Sequence, residues 1–288
     1  SEVSMKVSLL MNAINVSGNA ILIYGFHCGT EGVAIPTLVS RFVAAFIIIK
    51  LLLKDKWSLH LERTYRFNPD WSMIRKILSV GIPNGLENSM FQLGKVLVLS
   101  LVSTFGTYAI AANAVSNVIT LFSILPGQAI CLAVTTVIAR CVGAGDYEQA
   151  KYYNKKLILL THIGMAITIF IVFITLPFIL KVYNLSEAAS EATRHIIWFH
   201  GFCAILIWAE SFTLPATFRA CGDAKACMII STVSMWIFRV GASYILGKNL
   251  GLGVFGVWVA MIIDWAFRSL LFGIRYFSGK WKKHALVS

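Results

Sequence analysis

A carboxylate, three amides, an aromatic ring and a lysine share one face of the stretch GIPNGLENSMFQLGK at 81–95. At about 100° per residue, Glu87, Phe91, Asn84, Lys95, Asn88 and Gln92 fall within about 140° of one another. Leu86, Met90, Leu93 and Leu97 take the opposite side. An ionisable group in such an apolar setting is expensive and either lines a cavity or finds a partner. Glu87 can therefore carry a cation or a proton, with the amides, Phe91 and Lys95 as lining. The competing reading is a structural polar seam in which a basic neighbour neutralises Glu87. Asn113, Ser116, Asn117 and Thr120 form a second polar face at i, i+3, i+4 and i+7. Such residues either line a cavity or pack helices together. Glu210 stands alone among Trp208, Ala209 and Phe212, as a proton-exchanging group or as half of an ion pair. Asp264 and Arg268 are spaced i, i+4 and can form a structural ion pair on one helix. Arg239 and Arg41 are expected to pair with carboxylates or reach a headgroup layer. Asn15 and Asn19 share a face of the first apolar stretch and read as packing residues.

Catalytic chemistry has no constellation to work with. The six histidines (27, 60, 162, 195, 200 and 284) are scattered, with no nucleophile or metal-ligand spacing around them. No HExxH occurs. The six cysteines form no CxxC and sit as small apolar residues. The expectation is a non-enzyme with no metal and no covalent cofactor, in which Na⁺ or H⁺ is the only ion called for.

The elements that position these groups follow from composition. The chain has 288 residues, 58% hydrophobic and 13% charged, with a mean hydropathy of +0.76. A soluble domain carries about 25% charged residues. Soluble, disordered and nucleic-acid-binding classes are therefore excluded, and a lipid bilayer is the expected surround. A membrane-crossing helix needs roughly 20 mostly apolar residues. Eight stretches qualify: Val7–Phe26, Gly32–Leu53, Ile77–Phe105, Tyr108–Ile138, Leu157–Leu180, Ile196–Leu214, Met228–Leu246 and Val254–Tyr276. The expected fold class is an all-α polytopic membrane protein with eight transmembrane helices.

The net charge of +12 gives that bundle an orientation. Residue 6, the 54–76 segment, the 140–156 loop, 219–225 and the 275–283 tail hold most of the 25 lysines and arginines. The opposite connections hold only Lys181, Arg194 and Lys248. Basic loops stay cytoplasmic, so both ends of this chain are expected in the cytoplasm. Trp57, Trp71 and Trp281 beside lysines fit headgroup anchors. Asp70 is placed to cap the helix that follows it, and Asp146 with Gln149 resembles a capping box.

The first two stretches resemble the last two. GTEGV at 29–33 matches GVFGV at 253–257, Met5 aligns with Met228 and Gly18 with Gly241. Weak internal similarity of this kind is how duplicated carrier halves look. Four stretches precede the second copy and none precedes the first. The expectation is an N-terminally truncated carrier of roughly 440 residues and twelve spans when complete. Residues 1–53 would be the last two helices of an N-terminal lobe, 54–70 a cytoplasmic linker and 71–288 a complete six-helix C-terminal lobe.

The order and spacing of NAINVSGNAILIYG and GVAIPTLVSR at 12–41, GIPNGLENSMFQLGK at 81–95 and FGTYAIAANAVSN at 105–117 resemble the MATE (multidrug and toxic compound extrusion) family. GAGDYEQAKYYNKKL at 143–157, FRACGDAK at 218–225 and GVWVAMIIDWAFRSLLF at 256–272 continue the resemblance. It implies two six-helix lobes around a central cavity and a monomeric carrier in the plasma membrane (the bacterial inner membrane). It implies export of small organic, often cationic, compounds in exchange for Na⁺ or H⁺ by alternating access. Glu87 and Glu210 lie on the spans that bear acids in NorM-like members, Glu87 about a turn early and Glu210 about two positions late. The ion-coupling candidates are thus Glu87 and Glu210. The substrate-cavity candidates are Asn84, Asn88, Phe91, Gln92, Lys95, Asn113 and Asn117. A flippase for a lipid-linked oligosaccharide shares the architecture but wants an arginine-rich cavity for pyrophosphate, and only Arg239, Arg41 and Arg268 are available.

Overall fold

The computed structural model describes residues 2–53 and 69–281. The linker segment 54–68 lies outside the described residues, and with it Trp57, His60 and four of the basic residues that set the orientation; so do Lys282, Lys283 and His284. Helix dominates the described residues, and no strand occurs among them. The chain divides into two compact units, Ser1–Pro69 and Asp70–Ser288.

The first unit is a helical hairpin, α1 (Val3–Gly25) and α2 (Glu31–Leu52). Small and polar residues bring the two together, as expected where lipid removes the hydrophobic drive between helices. A Cβ on Gly18 would lie 2.7 Å from the Pro36 Cβ, so only glycine permits that approach. Beside it Asn15 Nδ2 donates to Thr37 Oγ1 at 2.9 Å, and Asn19 Nδ2 donates to Asn15 Oδ1 at 3.1 Å. Both asparagines are therefore spent on packing.

The second unit holds α3 (Trp71–Ser103), α4 (Thr107–Gly143), α5 (Tyr147–Tyr183), α6 (Glu187–Ala220), α7 (Ala224–Asn249) and α8 (Gly253–Phe277). Asp70 caps α3 by accepting from the amides of Ser72 and Met73 at 2.9 and 3.1 Å. Pro83 lies within α3 without ending it. Asp146 caps α5 through the Gln149 amide at 2.9 Å. The reciprocal half of that capping box is absent. The Asp146 amide already donates to the Cys141 carbonyl at 2.9 Å, and the Gln149 side chain accepts from Cys141 Sγ instead.

Seven of the eight described helices are long and apolar enough to cross a membrane. The eighth is α3. Its charged residues, Arg75, Lys76, Glu87 and Lys95, and its amides lower its hydropathy, although its 33 residues give roughly 50 Å of length. The core of the unit runs through Leu101, Met165, Ile196, Trp208, Trp258 and Trp265. A second cluster around Ile138, Phe218, Phe272 and Trp281 packs one end. Serine and threonine hydroxyls bind the helices across this core: Ser211 donates to the Trp265 carbonyl at 2.6 Å, and Thr217 to Asn154 Oδ1 at 2.5 Å.

Helix α6 widens into a π turn at Ala209–Thr213, and α7 does so at Met235–Gly241 and Tyr244–Asn249. Such wide turns re-aim side chains and occur frequently at functional sites. Glu210 stands in the first and Arg239 in the second.

Candidate functional site

Two separate arrangements contain the carboxylates of interest. The first is built around Glu87, whose side chain is 8% exposed. Arg219 Nη2 donates to both of its oxygens, at 2.7 and 2.8 Å. Arg268 Nη2 lies 3.8 Å from Glu87 Oε1 and donates to Ser231 Oγ at 2.7 Å. Two guanidinium groups thus converge on one carboxylate. Asp264 is fully buried; it accepts from Ser234 Oγ through Oδ1 and sits 3.8 Å from Arg239 Nη1 through Oδ2.

Asp264 and Arg268 interact as charges but make no direct hydrogen bond or close ion pair with each other. Their spacing permits contact, but each residue meets a closer partner on another helix. Asp264 turns to Ser234 and Arg239 on α7, and Arg268, one turn on, faces Ser231 and Glu87. Arg219, placed by sequence in a cytoplasmic loop, is instead part of α6 and of the Glu87 pair.

The second arrangement joins α5 to α6. His162 Nε2 is 3.0 Å from Glu210 Oε1, and His162 Nδ1 is 2.7 Å from the Ile205 carbonyl oxygen. A carbonyl oxygen only accepts, so Nδ1 carries a proton. In a neutral ring Nε2 would then present a lone pair to Glu210. Two lone pairs do not face each other at 3.0 Å, so one further proton lies between His162 and Glu210. It belongs to an imidazolium facing a carboxylate or to a carboxylic acid facing an imidazole. Both side chains are about a third exposed or less, 27% and 32%, and Glu210 Oε2 is buried without a hydrogen-bond partner.

Beside Phe91 and Phe212 lies a cavity of about 440 Å³, and a recess of about 220 Å³ adjoins it through common lining. The two share Lys95, Asn117, Arg239, Trp258 and Met261. Phe91, Trp208, Phe212 and Trp265 wall the larger part. Asn113 lines the recess and accepts from Trp258 Nε1 at 3.2 Å.

Of the residues singled out by sequence, Phe91, Lys95, Asn113 and Asn117 come together here. Asn84, Asn88 and Gln92 are not among the lining. Asn84 and Asn88 lie nearer the start of α3, and the Asn88 amide folds back onto the Asn84 carbonyl at 2.9 Å. Gln92 is exposed on a neighbouring face of the helix. Sequence reasoning missed His162, Arg219 and the aromatic walls. Among the described residues, no group of three or more His, Cys, Asp or Glu could hold a metal.

A family model for MatE matches residues 83–245, more than half of the chain. A probable multidrug resistance protein NorM of Thermotoga maritima is 27% identical over 99% of this chain and 61% of its own length. An uncharacterized transporter, YisQ, of Bacillus subtilis is 26% identical over 96% of this chain and 62% of its own. The chain therefore spans about three-fifths of the length of these relatives. A solved outward-facing structure of a multidrug resistance MATE family transporter superposes with a TM-score of 0.86 at 20% identity, over 97% of this chain and 63% of that one. A Pyrococcus furiosus transporter, whose structure is described as having a binding pocket of reverse polarity, superposes with a TM-score of 0.84 at 21% identity over 96% and 62%. These two show a common fold. The match across α3 to α7 places the chain in the MatE family, whose members are membrane transporters rather than enzymes.

Proposed function

We propose that the protein is a proton-coupled exporter of small organic compounds in the plasma membrane, working as a single carrier by alternating access. The observation that carries this reading is the His162–Glu210 contact. Its geometry requires a shared proton, and loss of that proton would set two lone pairs against each other and open the contact. Proton occupancy would then bias the packing of α5 on α6, and a substrate bound preferentially in one packing would be linked to it reciprocally. Glu87 is the weaker coupling candidate, because Arg219 already donates to both of its oxygens and Arg268 lies 3.8 Å away. Na⁺ wants several oxygen ligands, and the partner that faces Glu210 is a ring nitrogen.

Residues 1–53 would supply the last two helices of a first lobe and 71–288 a second lobe, with both ends of this chain cytoplasmic. The flippase reading ranks below this one. Arg219 and Arg268 are engaged with Glu87 and do not line the cavity, and Arg41 belongs to the other unit, so Arg239 is the one arginine among the described lining residues.

The test is the driving ion. In proteoliposomes holding the intact carrier, an imposed pH gradient is expected to drive transport equally well when every Na⁺ is replaced by K⁺. A strict requirement for a Na⁺ gradient would overturn proton coupling.

A further inference from the structure

We infer that the cavity of the second unit takes an aromatic organic anion, a planar carboxylate or sulfonate, rather than an organic cation. The inference rests on the exporter reading and names its substrate class. Lys95, Arg219, Arg239 and Arg268 form one electrostatic cluster with only two carboxylates, Glu87 and Asp264. Of the other acids in this unit, Asp223 is engaged with Arg275 at 2.6 and 2.9 Å, and Glu210 faces His162 at 3.0 Å. Among the described residues no carboxylate lines the cavity or its recess, whereas Lys95 and Arg239 line both.

Charge inside a bundle is costly unless paired, and here four basic side chains face two carboxylates, of which Asp264 leaves Oδ2 without a hydrogen bond, 3.8 Å from Arg239 Nη1. Arg268 is 3% exposed, yet its Nε and Nη1 have no hydrogen-bond partner. Arg239 places Nη2 on the Met261 sulfur at 2.9 Å, a weak acceptor. Trp265, on the cavity wall, has an indole N–H without a partner. Of these groups Arg239 and Trp265 line the cavity, where the other polar lining is neutral or basic: Lys95, Asn117, Thr120, Gln128 and His200.

Aromatic walls by themselves would suit a cation. Here those faces already carry resident cations. Arg268 lies 4.9 Å from the Phe212 ring centroid and 5.6 Å from that of Phe91; Arg239 and Lys95 each lie 5.3 Å from Phe91. A second cation would meet occupied rings and uncompensated positive charge. An aromatic anion would lie against the Trp258 and Trp208 side and bring an oxyanion to Lys95 and to Arg239, which otherwise has the Met261 sulfur and Asp264 at 3.8 Å. The family resemblance implies substrates that are often cationic, so the charge of this cavity points the other way.

Equilibrium dialysis of the intact, detergent-solubilised carrier at one pH tests this without any ion gradient. The probes are radiolabelled benzoate, p-aminohippurate and naphthalene-2-sulfonate against tetraphenylphosphonium. The unaltered protein is expected to bind at least one of the anions and not the cation. Lys95→Glu is expected to lose anion binding by at least about tenfold and to gain the cation, because Lys95 is exposed to the cavity and tolerates exchange. Arg239→Gln, shown folded by its melting profile, is expected to lose anion binding equally. Failure of all three anions to bind, or anion binding indifferent to Lys95→Glu, would overturn the inference. Proton coupling would stand in that event, and a Na⁺ requirement for transport would leave the binding result untouched.

Discussion

Glu210→Gln is expected to lower proton-driven transport by at least about a hundredfold, the scale on which loss of a positioned proton-transfer group is felt. The substitution is chosen to spare the structure. A glutamine amide N–H can still donate to His162 Nε2 across the 3.0 Å gap, so α5 and α6 remain joined. What disappears is a site that can be both occupied and empty. The local geometry would be fixed in its proton-loaded form, and transport would stop with the fold intact. Glu87→Gln is expected to retain coupling, because both Glu87 oxygens are already engaged by Arg219 and Arg268 lies 3.8 Å away. Transport by matched proteoliposomes distinguishes the two. Coupling that survives in Glu210→Gln but fails in Glu87→Gln would move the coupling site to α3.

Arg219→Ala is expected to carry the largest stability loss. Removing one partner of a buried pair costs about 3–5 kcal/mol, because the other charge is left uncompensated. The loss should fall toward the lower end, since Arg268 remains 3.8 Å from Glu87. The cause can be isolated by a second change. Adding Glu87→Gln to Arg219→Ala removes the stranded charge and is expected to recover much of the loss. The double variant would then be more stable than Arg219→Ala alone. Melting curves in detergent measure all four corners of the cycle. Additive losses, or an Arg219→Ala protein that melts like the unaltered one, would show that this contact is not what holds α3 against α6.

Much of the bundle was legible in the sequence for reasons that are local. Apolar length, glycine- and aspartate-bearing breaks and the polar face of α3 are each contained in a window of one helix. Asp70 and Asp146 cap their helices as their positions suggested. The site was legible only in part, because its contacts join distant segments. Nothing near His162 marks it as the partner of Glu210, and nothing near Arg219 separates an ion-pair arginine from a loop arginine. Asp264 and Arg268 show how local geometry misleads. Their spacing allows a close pair, and competition from Ser234, Arg239, Ser231 and Glu87 removes it. The π turns that carry Glu210 and Arg239 have no sequence periodicity of their own, so the aim of both side chains had to come from the structure.

The shared proton of His162 and Glu210 can be counted directly. Substrate added to the purified intact carrier in weakly buffered detergent should displace that proton into solution, where a pH indicator reads it. The expected result is about one proton released per carrier, and none from Glu210→Gln that still binds the same compound. Equal release from Glu210→Gln, or substrate binding without release from the unaltered protein, would contradict proton coupling at this pair.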